Sequence, residues 1–355
     1  MLLVASMVAL LIGCASKIPD KSTSTTVPEQ TIPTEIIPTD TSPGTSENID
    51  QAKSPVPSVS TEKTPTAGTT TILTSTIPRI GNCQIFPADN PWNTDISKYP
   101  INSNSTNYIA SIGSSGHLHA DFGGEGQYGI PYITVSSNPK VPVHFTAYGD
   151  ESDPGPYPIP KNVPIEEGAD SDGDRHVIAV DTQACMLYEL YRAFPTVSGW
   201  DADAGAKFNL KSNILRPDGW TSTDAAGLPI FPGLVRYDEV KAGKINHALR
   251  FTVRKTQKGF IHPATHYASS STSPNLPPMG LRLRLKANYD ISKYTGQSRV
   301  VLEALKKYGM IVADNGSNWY ITGGADPGWN DTDLNQLKNV PGSAFEVVDT
   351  GKILK

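Results

Sequence analysis

Hydrophobic and polar residues alternate in short runs over residues 80 to 355, as they do in β-strands that bury one face. In the run GLRLRLKA, Leu281, Leu283 and Leu285 share one predicted face, and Arg282 and Arg284 share the opposite face. Turn sequences rich in Gly, Pro, Asn and Asp separate these runs. The same pattern predicts further strands in VPVHFTAY, HVIAVD, CMLYELYRA, ALRFTVR, MIVAD, NWYITG and AFEVV.

Two segments are predicted to be helices instead. The segment SRVVLEALKKYG places Val301 and Leu305 on one helical face, and Gly309 is a typical C-terminal stop. A second short helix is predicted near DTDLNQLKNV. Many short strands with few helices predict a mainly β fold, a β-sandwich or jelly-roll-like single domain with one or two helices. A division into two domains near residues 195 to 220 is the alternative.

The chain before residue 80 has a different composition. Between Cys14 and Phe86 it contains no Phe, Trp or Tyr, and Ser, Thr and Pro recur throughout. Such a segment cannot bury enough apolar surface to offset the entropy lost on ordering. Residues 14 to 79 are therefore predicted to be a disordered Ser/Thr/Pro-rich tether, and residues 80 to 355 to be the mainly β globular domain.

The apolar start of the chain, MLLVASMVALLIG, is shorter than the roughly 20 residues that a transmembrane helix needs. It has the length of the hydrophobic region of an export signal. The run ends in LIGC at Cys14, which resembles the lipobox of bacterial lipoproteins. The resemblance implies that residues 1 to 13 are a signal peptide, that Cys14 is acylated, and that the protein is an extracytoplasmic lipoprotein anchored to a membrane.

Two cysteines remain after Cys14, namely Cys83 and Cys185. An exported protein is in an oxidising compartment, and an even number of remaining thiols favours a disulfide between them. The bond is expected to join the segment GNCQIFP to the strand CMLYELYRA. A catalytic cysteine paired with a histidine is the alternative.

Charge excludes one class of partner and suggests another. The formal net charge is −5 at pH 7, without blocks of Lys or Arg, so nucleic-acid binding is not expected. The predicted outward faces of two strands nevertheless carry Arg250 and Arg282, which together with neighbouring cations form a cationic strip. Such a strip fits an anionic ligand such as a uronate. Solvated or acid-paired arginines are the alternative.

The candidate acid and base residues lie in two segments. In RYDEVKAGKINHALRF, Asp238 and Glu239 precede a turn and His247 follows it, so a hairpin is expected to bring carboxylate and imidazole together. The segment FIHPATHYAS adds His266 and Tyr267. We predict that the two histidines transfer protons, that Asp238 or Glu239 is their carboxylate partner, and that Tyr267 assists as an acid. A charged hairpin tip with a hydrogen-bonded histidine is the alternative.

Metal ligation is considered at two places. Asp170, Asp172 and Asp174 alternate as calcium ligands do, but Gly173 does not occupy the position that the EF-hand pattern gives its glycine. We predict no catalytic metal and no cofactor, with a structural Ca²⁺ site near these aspartates as the alternative. The segment HLHADFG fits both a metal site and a hydrogen-bonded strand edge.

The tryptophans lie next to Gly, Pro or Asn, which indicates loops. Loop-borne aromatic rings offer flat apolar faces to sugar rings, and Trp220 and Trp319 are the residues expected to be exposed. With Arg250 or Arg282 contacting the substrate, the sequence favours a surface-anchored enzyme that cleaves glycosidic bonds of an extracellular polysaccharide, as a hydrolase or a lyase. A non-catalytic module that binds carbohydrate or cell-wall glycan is the alternative.

Several strings in the domain resemble those of an uncharacterised family of exported bacterial proteins. They are CQIFPADNPWN, DESDPGPYPIP, GDRHVIAVD, LYELY, GLVRYDEV, HALRF, PPMGLRLRLKA and YGMIVADNGSNWYITG. The resemblance covers nearly all of residues 80 to 355 and implies that they form one module. It implies no activity and no catalytic residue.

Overall fold

Strands provide most of the regular structure in the computed structural model, which describes residues 77–355. The predicted signal peptide, nearly all of the predicted tether and Cys14 lie outside the described residues. The predicted mainly β fold is confirmed. The strands in the described part are β1 Arg79–Ile80, β2 Cys83–Gln84, β3 His119–Asp121, β4 Tyr132–Val135, β5 Val143–Phe145, β6 Val177–Asp181, β7 Met186–Tyr191, β8 Phe194–Pro195, β9 Trp200–Ala202, β10 Ala204–Asn209, β11 Leu249–Val253, β12 Arg282–Leu285, β13 Met310–Asn315, β14 Tyr320–Thr322 and β15 Phe345–Val347.

The α-helices in residues 77–355 are α1 Ser105–Ile112, α2 Tyr237–Lys241, α3 Gly296–Lys307 and α4 Asp331–Leu334. Helix α3 occurs where helical spacing predicted it, and helix α4 occurs in the segment DTDLNQLKNV, for which a second short helix was predicted. The hairpin predicted in RYDEVKAGKINHALRF is wrong, because Tyr237–Lys241 form helix α2. Among residues 77–355, none of the helices combines the length and the apolar composition of a membrane-spanning segment.

Three of the sheets form layers. A six-stranded sheet has the order β15-β12-β13-β11-β14-β3, a four-stranded sheet the order β10-β7-β6-β4, and a three-stranded sheet the order β5-β9-β8. Strands β1 and β2 pair by themselves. Residues 77–355 belong to one compact unit, so the alternative division near residues 195 to 220 is wrong.

The alternation along β6 explains how the layers pack. Ile178 and Val180 face a large core that also contains residues of the six-stranded sheet. Val177 and Ala179 point the other way, into a smaller core that includes Trp200 of the three-stranded sheet. The four-stranded sheet is therefore buried on both faces, and successive side chains of one strand stabilise two different cores.

The predicted disulfide is present between Cys83 and Cys185, whose Cα atoms are 5.4 Å apart. Cys83 lies in β2 and Cys185 in the turn that joins β6 to β7. The bond ties the beginning of the described chain to the four-stranded sheet. It also rules out the alternative of a free catalytic cysteine at either position.

The predicted cationic strip does not lie on the surface, which corrects the expectation for Arg250 and Arg282. Both are buried, with 4% and 3% of their surface exposed. Arg282 donates to the carbonyl oxygens of Tyr308 and Thr94, and Arg284 forms an ion pair with Glu346 at 2.8 Å. Strands β11 and β12 are covered on both faces, so the polar positions of the alternation point into the protein.

Candidate functional site

A cavity of about 360 Å³ lies where β6 begins and where β7 and β13 end. Because β6 and β7 are antiparallel and Val177 is opposite Leu190, the residues just outside this pair, His176 and Tyr191, lie at the same end of the sheet. The volume lies within the range of small-ligand sites. The lining residues are Tyr148, Glu151, Asp174, His176, Tyr191, Thr221, Ser222, Thr223, Asp224, Ala225, His266, Ala268, Asp314 and Asn315.

One wall of the cavity is an irregular segment of buried polar residues, Thr221–Asp224. It is attached to the four-stranded sheet through the fully buried carboxylate of Glu189. This carboxylate accepts hydrogen bonds from the Thr223 hydroxyl at 3.0 Å and from the amides of Ile230 and Phe231. Burial raises the pKa of Glu189, although these hydrogen bonds oppose the rise. Glu189 thus ties Thr223 of the wall and the backbone at Ile230 and Phe231 to the four-stranded sheet.

His176 holds the same segment from the other side. Its Nδ1 is 2.5 Å from Oε2 of Glu166, and its Nε2 is 2.9 Å from the carbonyl oxygen of Thr223. Burial by itself lowers the pKa of His176, but the Glu166 carboxylate and the Thr223 carbonyl outweigh it and raise that pKa to about 9. The ring is therefore a cation at neutral pH that donates from both nitrogens. It positions the wall and has no free nitrogen to accept a proton.

Asp224 is a carboxyl group in a strongly perturbed environment. Its side chain is fully buried, and its Oδ2 is 3.1 Å from Nη2 of Arg250. Arg250 also donates to Oγ1 of Thr322 at 2.8 Å. Burial raises the pKa of Asp224 to about 7, against the opposing charge of Arg250, and the negative charge of Asp314 adds to the rise. The two carboxyl groups consequently do not ionise independently.

Asp314 lies near the end of β13 and is half-buried. Its Oδ1 accepts a hydrogen bond from the amide of Asn315 at 2.6 Å, and no described residue is hydrogen-bonded to its Oδ2. Burial raises the pKa of Asp314, while the charge of Arg250 opposes the change. A carboxyl group with a raised pKa and a free oxygen is suited to donate a proton to a bound molecule.

His266 lines the same cavity and is half-buried. Its Nδ1 donates to the carbonyl oxygen of Ala225 at 2.8 Å. That bond fixes the tautomer of the neutral ring, so Nε2 has the lone pair, and no described residue is hydrogen-bonded to Nε2. Tyr267 lies parallel to the imidazole, with 4° between the ring planes, and holds its orientation. The cavity thus combines a proton acceptor, His266, with a proton donor, Asp314.

The other predicted acid and base residues are not in this cavity. Glu239 and His247 do meet, at 2.9 Å between Oε2 and Nε2, but both side chains are buried and Arg236 completes the cluster. Asp238 is exposed on helix α2. Tyr267 supports His266 without lining the cavity itself. The structure therefore does not bring His247 and His266 to one groove.

The predicted aromatic platforms also differ from the observed ones. Trp319 is only 1% exposed and donates from Nε1 to the carbonyl oxygen of Gly113 at 2.8 Å, which contradicts its expected exposure. Trp220 is half-buried beneath the guanidinium of Arg216, 5.5 Å from its ring centroid. The aromatic residues that line the cavity are Tyr148, 48% exposed, and Tyr191.

The loop that carries Asp170, Asp172 and Asp174, considered above as a calcium site, folds around the side chain of an arginine. Nη1 of the buried Arg175 donates to the carbonyl oxygens of Ala169 and Ser171 at 2.8 and 2.7 Å. Among residues 77–355, no three His, Cys, Asp or Glu side chains are grouped closely enough to hold a metal ion. The guanidinium already provides the cation for these carbonyl oxygens. The aspartates of the loop are exposed, namely Asp170, Asp172 and Asp174.

The sequence interpretation missed His176, Asp224 and Asp314. A usable signal was present for two of them: His176 directly precedes the strand VIAVD, and Asp314 comes at the end of the strand MIVAD. Polar residues at strand ends frequently form binding or catalytic sites.

No protein-family model, no curated protein and no solved structure matches the chain.

Proposed function

We propose that this protein hydrolyses glycosidic bonds of an extracellular polysaccharide, with His266 as the general base and Asp314 as the general acid. The observation that carries the proposal is the pairing, in one cavity, of an imidazole whose Nε2 is free with a carboxyl group whose pKa is raised by burial. General acid–base catalysis needs a group that donates a proton and a group that accepts one in the same site.

In the proposed reaction, Asp314 gives its proton to the leaving glycosidic oxygen. His266 accepts a proton from water through Nε2 while the water oxygen forms a bond to the anomeric carbon. The products are a new reducing end and a free hydroxyl, and solvent then returns the proton to Asp314 and removes the one on His266. Asp224 and Arg250 act indirectly, because their charges adjust the proton affinity of Asp314.

The character of the lining supports hydrolysis over elimination. No Lys or Arg of residues 77–355 lines the cavity, and the cation of His176 faces the carboxyl groups of Glu151 and Asp174 as well as those of Asp224 and Asp314. A uronate carboxylate, which a lyase must neutralise, is repelled there. Tyr148 and Tyr191 offer aromatic faces to a sugar ring. The preferred substrate is therefore a polysaccharide of neutral or amino sugars.

The location outside the cytoplasm belongs to the proposal. The disulfide between Cys83 and Cys185 supports an oxidising compartment, where such bonds persist. Acylation of Cys14 is proposed to hold the protein on a membrane, with residues 15 to 79 as the tether. Its proposed partners are the membrane lipid and a polysaccharide or cell-wall glycan.

The test is to incubate the protein with xylan, arabinan, β-glucan, mannan, chitosan and polygalacturonate. New reducing ends and the ultraviolet absorbance of unsaturated uronates are recorded together. The proposal expects reducing ends without absorbance from at least one neutral or amino-sugar polymer. Cleavage of polygalacturonate with rising absorbance contradicts it, and binding without cleavage supports the non-catalytic module instead.

A further inference from the structure

A second cavity, of about 380 Å³, lies beside β3 and helix α4 and shares no lining residue with the first. It contains part of the segment HLHADFG, which the proposed reaction does not use. Phe122 and Leu334 provide its apolar surface. Its polar and aromatic lining consists of His119, Asp121, Tyr128, Asp331, Asn335 and Lys338.

Several of these side chains make no side-chain hydrogen bond or ion pair within residues 77–355. His119 stacks on Tyr320 with 4.1 Å between ring centroids, but neither ring nitrogen is hydrogen-bonded. The side chains of Asp121, Asn335 and Lys338 likewise have no hydrogen bond or ion pair with another described residue. Asp121, Asn335 and Lys338 are exposed to solvent and His119 is half-buried, so these polar groups around one cavity are accessible to a ligand that enters it.

Tyr128 presents an aromatic face at this cavity. It is 65% exposed, the largest exposed fraction of any described tyrosine. Its ring lies against Gly124, where a Cβ atom would be only 2.6 Å from Cδ2 of Tyr128. The glycine therefore allows the ring to rest against the backbone while most of the ring stays exposed. An exposed ring supported in this way is suited to stacking against a sugar.

We propose that this cavity is a second saccharide site, which binds one or two uncharged sugar residues by stacking on Tyr128 and by hydrogen bonds to Asp121, His119 and Lys338. Mixed donors and acceptors suit hydroxyl groups, each of which donates and accepts. A phosphate or uronate is disfavoured, because Asp121 and Asp331 provide two carboxylates against one lysine. The site binds saccharide whether or not the first cavity cleaves it.

The test is isothermal titration of the intact protein with cellohexaose, xylohexaose, laminarihexaose, mannohexaose, arabinohexaose and chitohexaose. We expect at least one of these probes to bind, with a Kd in the micromolar to low millimolar range. Tyr128→Ala is expected to weaken that binding at least tenfold, because the stacking face is removed. Lys338→Ala is expected to weaken it severalfold and provides a second variant that leaves the ring in place.

The matched control is Tyr99→Ala, which removes another exposed tyrosine, 37% exposed and outside this cavity. It should bind within twofold of wild type. The proposal is overturned if no probe binds with a Kd below 10 mM, or if Tyr128→Ala binds as wild type does. Wild type and His266→Ala separate the two proposals. Tyr128-dependent binding by a wild-type protein that cleaves no polysaccharide retains the second site and rejects the proposed function, whereas Tyr128-dependent binding with cleavage lost only in His266→Ala supports both.

Discussion

The buried pair of His176 and Glu166 makes a quantitative prediction about stability and pH. The Nδ1 to Oε2 distance is 2.5 Å, and the His176 side chain is only 7% exposed. A rise in the pKa of His176 from its ordinary 6.5 to about 9 corresponds to roughly 3 kcal/mol of stability. Glu166→Gln removes the carboxylate but keeps the shape of the side chain, so it should lower the free energy of unfolding by about that amount near pH 6.

The pH range follows from the direction of each shift. The folded pKa of His176 is raised, so its contribution is complete below about pH 6.5 and is lost as the pH rises through about 9. The folded pKa of Glu166 is lowered, even though burial acts to raise it, so its contribution is present above its ordinary 4.5. The difference between wild type and Glu166→Gln should therefore be largest between about pH 5 and 6.5. By pH 9.5 it should fall to about 1 kcal/mol, the value of a neutral hydrogen bond.

The assay is urea unfolding of both proteins, with the disulfide intact, at half-unit steps from pH 5 to pH 9.5. Glu303→Gln provides the control, because Glu303 forms an exposed ion pair with Arg299 at 2.6 Å. That exposed pair should contribute less than about 1 kcal/mol at any pH. A difference between wild type and Glu166→Gln that stays constant across the whole range would refute the assignment of His176 as a buried cation.

Three further predictions concern the disulfide, the interior cluster and the cavity mouth. Replacing Cys83 and Cys185 together by serine should lower the free energy of unfolding, measured in urea, by about 4 to 5 kcal/mol, because the disulfide closes a loop with a sequence separation of 102. A loss below 1 kcal/mol contradicts this prediction. Glu239→Gln should lower the free energy of unfolding by about 3 kcal/mol, because the buried His247 loses its carboxylate partner, and should leave kcat of the folded protein unchanged. A large loss of kcat would show that Glu239 and His247 take part in the reaction. Tyr148→Ala should raise KM about tenfold with kcat within twofold, and an unchanged KM would remove Tyr148 from substrate binding.

The sequence was sufficient to predict the fold class because the alternation of side chains reports burial directly. The runs that contain Leu283, Phe251 and Val180 form the expected strands, and helix α3 occurs where the spacing changed. What alternation cannot report is whether the second face of a strand is also covered. Arg250 and Arg282 occupy polar positions of β11 and β12, yet both are buried, because further layers pack on that side.

The site was predicted only in part, for a related reason. His266 was identified because it forms a His-Tyr pair with Tyr267 in the segment FIHPATHYAS, and the structure places it in the cavity. Asp314, which lines the same cavity, is far from His266 in the sequence and reaches the cavity because it lies near the end of strand β13. The contact between Glu239 and His247 could be predicted from the sequence because the two residues are only eight positions apart. Their burial depends on the packing around helix α2 and could not be read from spacing.

The most direct test of the central claim is the rate of reducing-end release by wild type, His266→Ala and Asp314→Asn on the same soluble polysaccharide. Each variant should retain wild-type circular dichroism and lose at least 100-fold in kcat, because each lacks one of the two proton-transfer groups. If either folded variant cleaves the polysaccharide at a rate close to that of wild type, the pair of His266 and Asp314 does not perform the reaction.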